Sequence, residues 1–194
     1  MKDIFGLLGV FFLMGSSVPY IIALWKKRAK PHAFSWILWS LINAVVCAAQ
    51  VSDGAGAGAW SAGATALVNG GIAVYALKYG ERNFTRGDWA VFLSALAAVP
   101  LWVATKDPVW SVILVCIIDT FGFFPTMRKS WHKPYEEVLM TFVLGEIGFF
   151  FAILAIENYS LTNWLYPGVV LATNSVFILS LSYRRWGWTG SRPA

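Results

Sequence analysis

Seven long apolar blocks run through the sequence, and no other feature limits the fold as much. The first extends from Ile4 to Leu24 without a charged residue, and six more follow at about 33–51, 58–77, 89–105, 109–127, 137–156 and 163–183. A helix of roughly 20 apolar residues spans a bilayer, where every backbone N–H and C=O must be satisfied within the segment. Seven such spans take about 140 residues at that length, out of 194. What remains is too short for an appended nucleotide-binding motor or DNA-binding module. Composition agrees, because 13% of the residues are charged, half the share of a soluble domain, about 25%. Block 1 is too long for the h-region of a signal peptide, and the stronger charge cluster follows it, so it reads as a retained span.

Charge placement orients the spans. Lys26, Lys27, Arg28 and Lys30 follow span 1, Lys78, Arg82 and Arg86 follow span 3, and Arg128, Lys129 and Lys133 follow span 5. Arg184, Arg185 and Arg192 bring that side to 13, against Lys2 and Lys106 on the other. By the positive-inside rule the first side is cytoplasmic. With seven spans the N-terminus then lies outside and the C-terminus inside. The net charge of +5 is a topology signal, not a nucleic-acid footprint.

Metal and redox chemistry find little support. Cys47 and Cys116 each lie inside an apolar block with no nearby partner, which offers neither a disulfide framework nor a CxxC site. His32 and His132 fall in separate basic loops, whereas haem and di-iron membrane enzymes need several His within spans. No cofactor and no metal are expected.

The chain also matches itself. A shift of 106 residues aligns Pro19, Trp25 and Lys27 with Pro125, Trp131 and Lys133, and a shift of 105 places Asn69 on Asn174. These matches fit spans 1–3 and 5–7 as two copies in the same orientation, with span 4 supplying the inversion that a parallel repeat requires. The expected units are residues 1–80 as the first three-helix repeat, 81–107 as a linker helix, and 108–194 as the second repeat with a short cytoplasmic tail. Span 3 opens with Gly54-Ala-Gly-Ala-Gly-Ala59 and carries Ala62, Ala66 and Gly70 at four-residue steps, a small-residue stripe that lets helices approach closely.

With these features the chain resembles the PQ-loop superfamily and, within it, the SWEET-like sugar facilitators. The residues that carry the resemblance are Pro19 with Trp25-Lys-Lys-Arg28, Pro125-Thr126 with Arg128-Lys129, and the pair Asn69 and Asn174. The resemblance implies an all-α integral membrane protein of seven transmembrane helices in a 3+1+3 arrangement. It also implies a third helix packed between the other two of each repeat and paired Asn residues facing a central pocket. Pro19 and Pro125 each remove a backbone hydrogen bond and weaken a helix locally, which as a repeat-related pair reads as two hinges, against the plainer reading of ordinary helix ends. The chain departs from the family at the Gln of the Pro-Gln pair, which is Tyr20 in one copy and Thr126 in the other. The second-helix prolines are represented by Pro31 and Pro134, at or before the helix starts.

Away from the span edges there is no Lys or Arg and there are two carboxylates, Asp119 and Glu146. Both fall near their span midpoints, as do Asn43, Asn69 and Asn174, so five polar groups share one layer within roughly 3 Å of the midplane at 1.5 Å per residue. An ionisable group at that depth must face the bundle interior or water, and transporters bind solutes there. The plainer alternative is interhelical hydrogen bonding, worth about 0.6 kcal/mol per contact. Trp36, Trp39 and Asn43 share a helical face, as do Phe142, Glu146 and Phe149. A ring beside an amide suits a sugar or another flat polar solute, which makes Trp39 a candidate contact. A carboxyl whose access to water changes can carry a proton, with Asp119 favoured because it shares a helix with Pro125.

The expected function is alternating-access transport of a small polar organic solute, sugar-like or amino-acid-like, with proton coupling or a cationic solute both suggested by the acids. A PQ-loop-type receptor and an intramembrane enzyme using the carboxylates are the alternatives. A retinal sensor lacks its span Lys, and an enzyme lacks a metal cluster or a nucleophile–base pair. The partners are the solute and the lipid bilayer, without nucleic acid, and self-association into a homo-oligomer is left open. Compact loops point to a bacterial inner membrane.

Overall fold

A computed structural model describes residues 1–27, 31, 33–80, 86–132, 134–135 and 137–187, without the side chains at 88, 91, 95, 122, 124–126, 128 and 129. Arg28, Lys30, His32, Arg82, Lys133 and Arg192 lie outside the described residues, as do the side chains of Pro125, Thr126, Arg128 and Lys129.

Among the described residues every element is helical: α1 (Lys2–Trp25), α2 (Ala33–Ser52), a 3-10 turn (Gly56–Ala59) leading into α3 (Trp60–Tyr79), α4 (Arg86–Leu96), α5 (Ala98–Thr105), α6 (Pro108–His132), α7 (Leu139–Ala155) and α8 (Leu161–Trp186). Helices α1, α2 and α8 are long and apolar enough to cross a membrane, with mean hydropathies of 2.0, 1.6 and 1.5. Shorter apolar stretches lie at Pro108–Phe121 and Leu139–Ala155. The chain is thus a helical, membrane-associated protein.

Local chemistry explains the breaks. The block read as one helix at 89–105 is two, because Pro100 has no N–H for the carbonyl of Leu96, and the helix interrupts at Ala97. Lys106, at φ 55°, then caps α5 by donating its N–H to the carbonyl of Trp102 at 2.8 Å. Between α2 and α3 the chain turns through Gly54 and Gly56 at φ 72° and 58°, a region that favours glycine. At Gly56 a Cβ would also strike the Glu157 carboxyl. Basic residues read as loop lie in helix at several places: Lys78 in the last turn of α3, Arg86 at the start of α4, His132 at the end of α6, and Arg184 and Arg185 in the last turn of α8.

Helix α3 packs against both α1 and α2, and α8 packs against both α6 and α7. Between these sets, α1 lies along α7 and α2 against α6, with smaller contacts of α3 on α7 and α8 on α2. Exchanging α1 with α6, α2 with α7 and α3 with α8 maps every one of these neighbour relations onto another. Helices α4 and α5 stand outside that exchange, on α2 and α6.

Small residues set the α1–α7 seam. A Cβ on Gly148 would come 2.6 Å from Leu13 Cγ, and one on Gly9 would come 2.7 Å from Ser61 Oγ and 3.2 Å from the backbone N of Ala152. The backbones therefore meet at a distance that larger residues would forbid, as expected where apolar burial gives no driving force between helices. Phe5 and Phe12 stack on Phe151 at 6.1 and 5.8 Å along the same seam. The span-3 stripe packs on α2 instead: Ser40 Oγ donates to the carbonyl of Ala66 at 2.9 Å, and Cβ atoms on Gly63 and Gly70 would lie 3.2 Å from Cys47 Sγ and Ser40 Oγ. The α2–α6 seam is filled by Ile42, Val46, Ala49, Val112 and Val115, joined by Ala98 and Tyr166.

Candidate functional site

Helices α2, α6 and α8 converge on one polar cluster inside that apolar seam. Asn43 follows the fully buried Ile42, and Asp119 follows the buried Ile118, so packing of the apolar neighbours turns both polar groups toward the helix junction. Asn43 is 4% exposed; its Nδ2 donates to the carbonyl of Trp39 at 2.9 Å, while its Oδ1 is buried without a partner. Tyr166 of α8 reaches in from the side, and its hydroxyl interacts with both the Asn43 amide and the Asp119 carboxyl. Phe149 of α7 meets the Tyr166 ring edge-on at 6.4 Å and 72°.

A second group joins α7 to α8. Glu146 Oε1 accepts a hydrogen bond from Ser175 Oγ, while Oε2 is buried without a partner. Asn174 stands beside Gly145, where a Cβ would lie 3.7 Å from its Nδ2. Phe142 packs on Phe177 at 4.4 Å and on Phe123 at 6.0 Å. Asn69 on α3 is buried at 8% exposure, and among the described residues no hydrogen bond joins it to Asn174. Counted from the bundle end that holds Met1, Asn43, Asn69 and Glu146 each stand nine residues into their helices, about 13 Å at 1.5 Å per residue. Asp119 stands eleven residues in, about 16 Å.

Trp39 is placed differently from expectation. It is 38% exposed and its ring packs on Trp36 at 5.2 Å, with Trp36 against Tyr20 of α1 at 4.8 Å. Its carbonyl, not its ring, meets Asn43. Pro19 sits within α1, which continues to Trp25, and the carbonyl it deprives of a donor belongs to Gly15, beside which lies open space. The backbone of α6 likewise continues as helix through position 125.

The end of the bundle that holds Met1 is fastened by a polar network. Asn163 is fully buried, and its Nδ2 donates to the Asp53 carbonyl and carboxylate at 3.1 Å each and to the Asn158 carbonyl at 2.9 Å. Ser160 Oγ donates to the same carboxylate, Asn158 Nδ2 donates to the Asp53 carbonyl at 2.9 Å, and buried Gln50 donates to the Asn163 carbonyl at 2.8 Å. The α2–α3 and α7–α8 loops are thereby tied together. At the other end Arg185 donates to the carbonyls of Pro134 and Glu137 at 2.9 and 2.6 Å, and Arg184 to that of Trp131 at 3.0 Å, holding the α6–α7 connection on α8.

Sequence reasoning missed Tyr166, Gln50 and Asn163. The signal was present in each case, a hydrogen-bonding side chain within an apolar block that needs a partner when buried. Among the described residues no group of three or more His, Cys, Asp or Glu could hold a metal ion. No family model, curated protein or solved structure matches the chain.

Proposed function

We propose that this chain is a membrane transporter that moves a small polar organic solute by alternating access, with seven spans in a PQ-loop, SWEET-like arrangement. Helices α1–α3 and α6–α8 are its two parallel repeats, and the broken pair α4–α5 is the linker span. The observation that carries this reading is the exchange symmetry of the helix neighbours. Two alike three-helix bundles meet at a layer of acids and amides, the arrangement that rocking about a midplane site requires. The 13 to 2 split of Lys and Arg puts the N-terminus outside, the C-terminus in the cytoplasm and the Asp53 network on the outer face. A bacterial inner membrane is the proposed location.

Asn43, Asp119 and Tyr166 form the proposed solute contacts, with Glu146 and Asn69 at a similar depth and Asn174 about one helical turn deeper. Asp119, and after it Glu146, is the proposed proton carrier, because a carboxyl at this depth is held in a site whose wetting changes as the bundles rock. The Gly15–Pro19 segment and Pro125 are the proposed hinges. Uptake of radiolabelled solutes into proteoliposomes tests the reading. Saturable uptake that Asn43→Leu abolishes supports it, and vesicles no more permeable than protein-free ones to every polar solute offered overturn it.

A further inference from the structure

Resting on the transport reading, we infer that the solute held by the Asn43–Asp119–Tyr166 cluster is a small organic cation, exchanged against a proton on Asp119. The cluster is a set of acceptors. Asn43 is more than nine-tenths buried, its amide hydrogens serve Trp39 and face Tyr166, and its Oδ1 is buried with no hydrogen-bond partner. The Asp119 carboxyl, which meets the Tyr166 hydroxyl, adds acceptor oxygens, and Glu146 Oε2 is a second buried acceptor without a donor. A carboxylate accepts and cannot donate, and an amide oxygen only accepts. The ligand that completes this set is rich in donors.

Fixed positive charge is missing from the layer. Every Lys, Arg or His on the described parts of α1, α2, α3, α6, α7 and α8 sits at or near a helix end. The ionisable groups that face Asp119 are Tyr166 from α8 and Cys116 one turn earlier on α6. Among the described residues α2, α4 and α5 bring no charged group against it. An anion would therefore meet like charge with no counter-ion, and a neutral sugar would leave a buried carboxylate unpaired. A cation pairs it, with the Tyr166 and Phe149 rings packed alongside.

Exchange follows from the cost of an uncompensated buried charge. Asp119 crosses between its two wetted states either as a carboxylic acid or as a carboxylate paired with the cation. When the cation binds, the Asp119 O–H bond breaks, the proton passes to water on that side, and the carboxylate pairs with the ammonium or guanidinium. When the cation leaves on the opposite side, a proton from water there rebuilds the O–H bond. One positive charge moves each way, and the cycle balances.

The test uses the purified protein in proteoliposomes with agmatine and methylguanidine as fixed-charge, donor-rich probes, which a pH gradient alone does not trap, and glucose as the neutral probe. An acidic lumen should raise cation uptake several-fold over symmetric pH, and glucose should stay at the level of protein-free vesicles. Asp119→Asn should abolish this uptake, and Tyr166→Phe, which keeps the ring against Phe149, should weaken it while eluting as a folded monodisperse species. If Asp119→Asn fails to fold, the Tyr166→Phe result decides. Uptake of glucose with the cations inert, or cation uptake driven by an acidic exterior, overturns the inference and leaves the transport reading standing. Undiminished uptake by folded Asp119→Asn overturns the site. No uptake of any probe overturns the transport reading together with the inference.

Discussion

Two glycines on one helix show how much a single hydrogen can decide. Gly9 is pressed between α3 and α7, where a Cβ would meet Ser61 Oγ at 2.7 Å and the Gly148 carbonyl at 3.2 Å. Gly9→Val must push the helices apart, and overpacking of this kind costs about 1–3 kcal/mol. Gly15, six residues on, has nothing within 4 Å of its added Cβ. There alanine restrains the unfolded chain without a clash, for a gain of about 0.5–1 kcal/mol. Thermal denaturation of the detergent-solubilised protein should show a lower midpoint for Gly9→Val and an unchanged or higher one for Gly15→Ala. A destabilised Gly15→Ala would mean that the open space beside it is occupied in the folded protein. Buried amides follow the same logic: Asn163→Leu strips three donated hydrogen bonds from the Asp53 network and leaves Asn158 and Asp53 oxygens to find other partners.

At the scale of the element, the loops after α2 and α7 act as a pair. Each follows the second helix of its bundle, and Asp53 receives bonds from Asn158, Ser160 and Asn163 across the junction. Ser160 also caps α8, accepting from the N–H of Asn163 at 3.3 Å, so fastening the loop and starting the helix are one event. Asp53→Ala removes the shared acceptor at a cost of about 1–3 kcal/mol. Hydrogen exchange should then quicken at residues 53–58 and 156–163 and stay unchanged at 134–142, where Arg185 holds the other end. Uniform quickening along the chain would show that Asp53 stabilises the whole fold and not this junction. Helix α4–α5 carries the opposite lesson: its apolar run is continuous in sequence, and one proline divides it.

The whole molecule is organised by where its charges can go. Lys106 and Lys78 are both exposed, and they sit at opposite ends of the bundle. In the proposed orientation Lys106→Cys should react with an impermeant maleimide in intact cells, and Lys78→Cys only after permeabilisation. The native thiols should stay silent, since Cys116 is buried and Cys47 packs on Gly63. Reaction of both introduced cysteines from one side would rule out the orientation. A second expectation concerns the two carboxyls. In the proposed transporter Asp119→Asn should abolish solute movement and with it the response to a pH gradient, while Glu146→Gln, whose partner Ser175 can still bond an amide, should alter rate more than gradient dependence. Stopped-flow recording of lumenal pH in proteoliposomes separates the two.

The helices themselves were legible in the residues. An apolar run in a membrane must satisfy its backbone within itself, so helix follows from local sequence alone, and each of the seven blocks is helical, although the fourth is two helices and α6 runs past its expected end. The matching depths of Asn43, Asn69 and Glu146 were legible in the same way, as depth along a helix is arithmetic on residue number, whereas Asn174 stands thirteen residues into α8. Which polar groups meet was not. Asn43, Asp119 and Tyr166 lie far apart in the chain, as do Glu146 and Ser175, and their meeting depends on how each helix is rotated about its axis. That rotation is set by packing: the Gly9–Gly148 approach, the Ser40–Ala66 bond and the valines of the α2–α6 seam. Trp39 shows the limit, since its spacing from Asn43 is right for a shared face and a modest rotation of α2 leaves its ring outside. Sequence determined what each segment is and how deep each side chain lies. Tertiary structure decided what each one touches, because rotation and approach are properties of pairs of helices and are written in no single one.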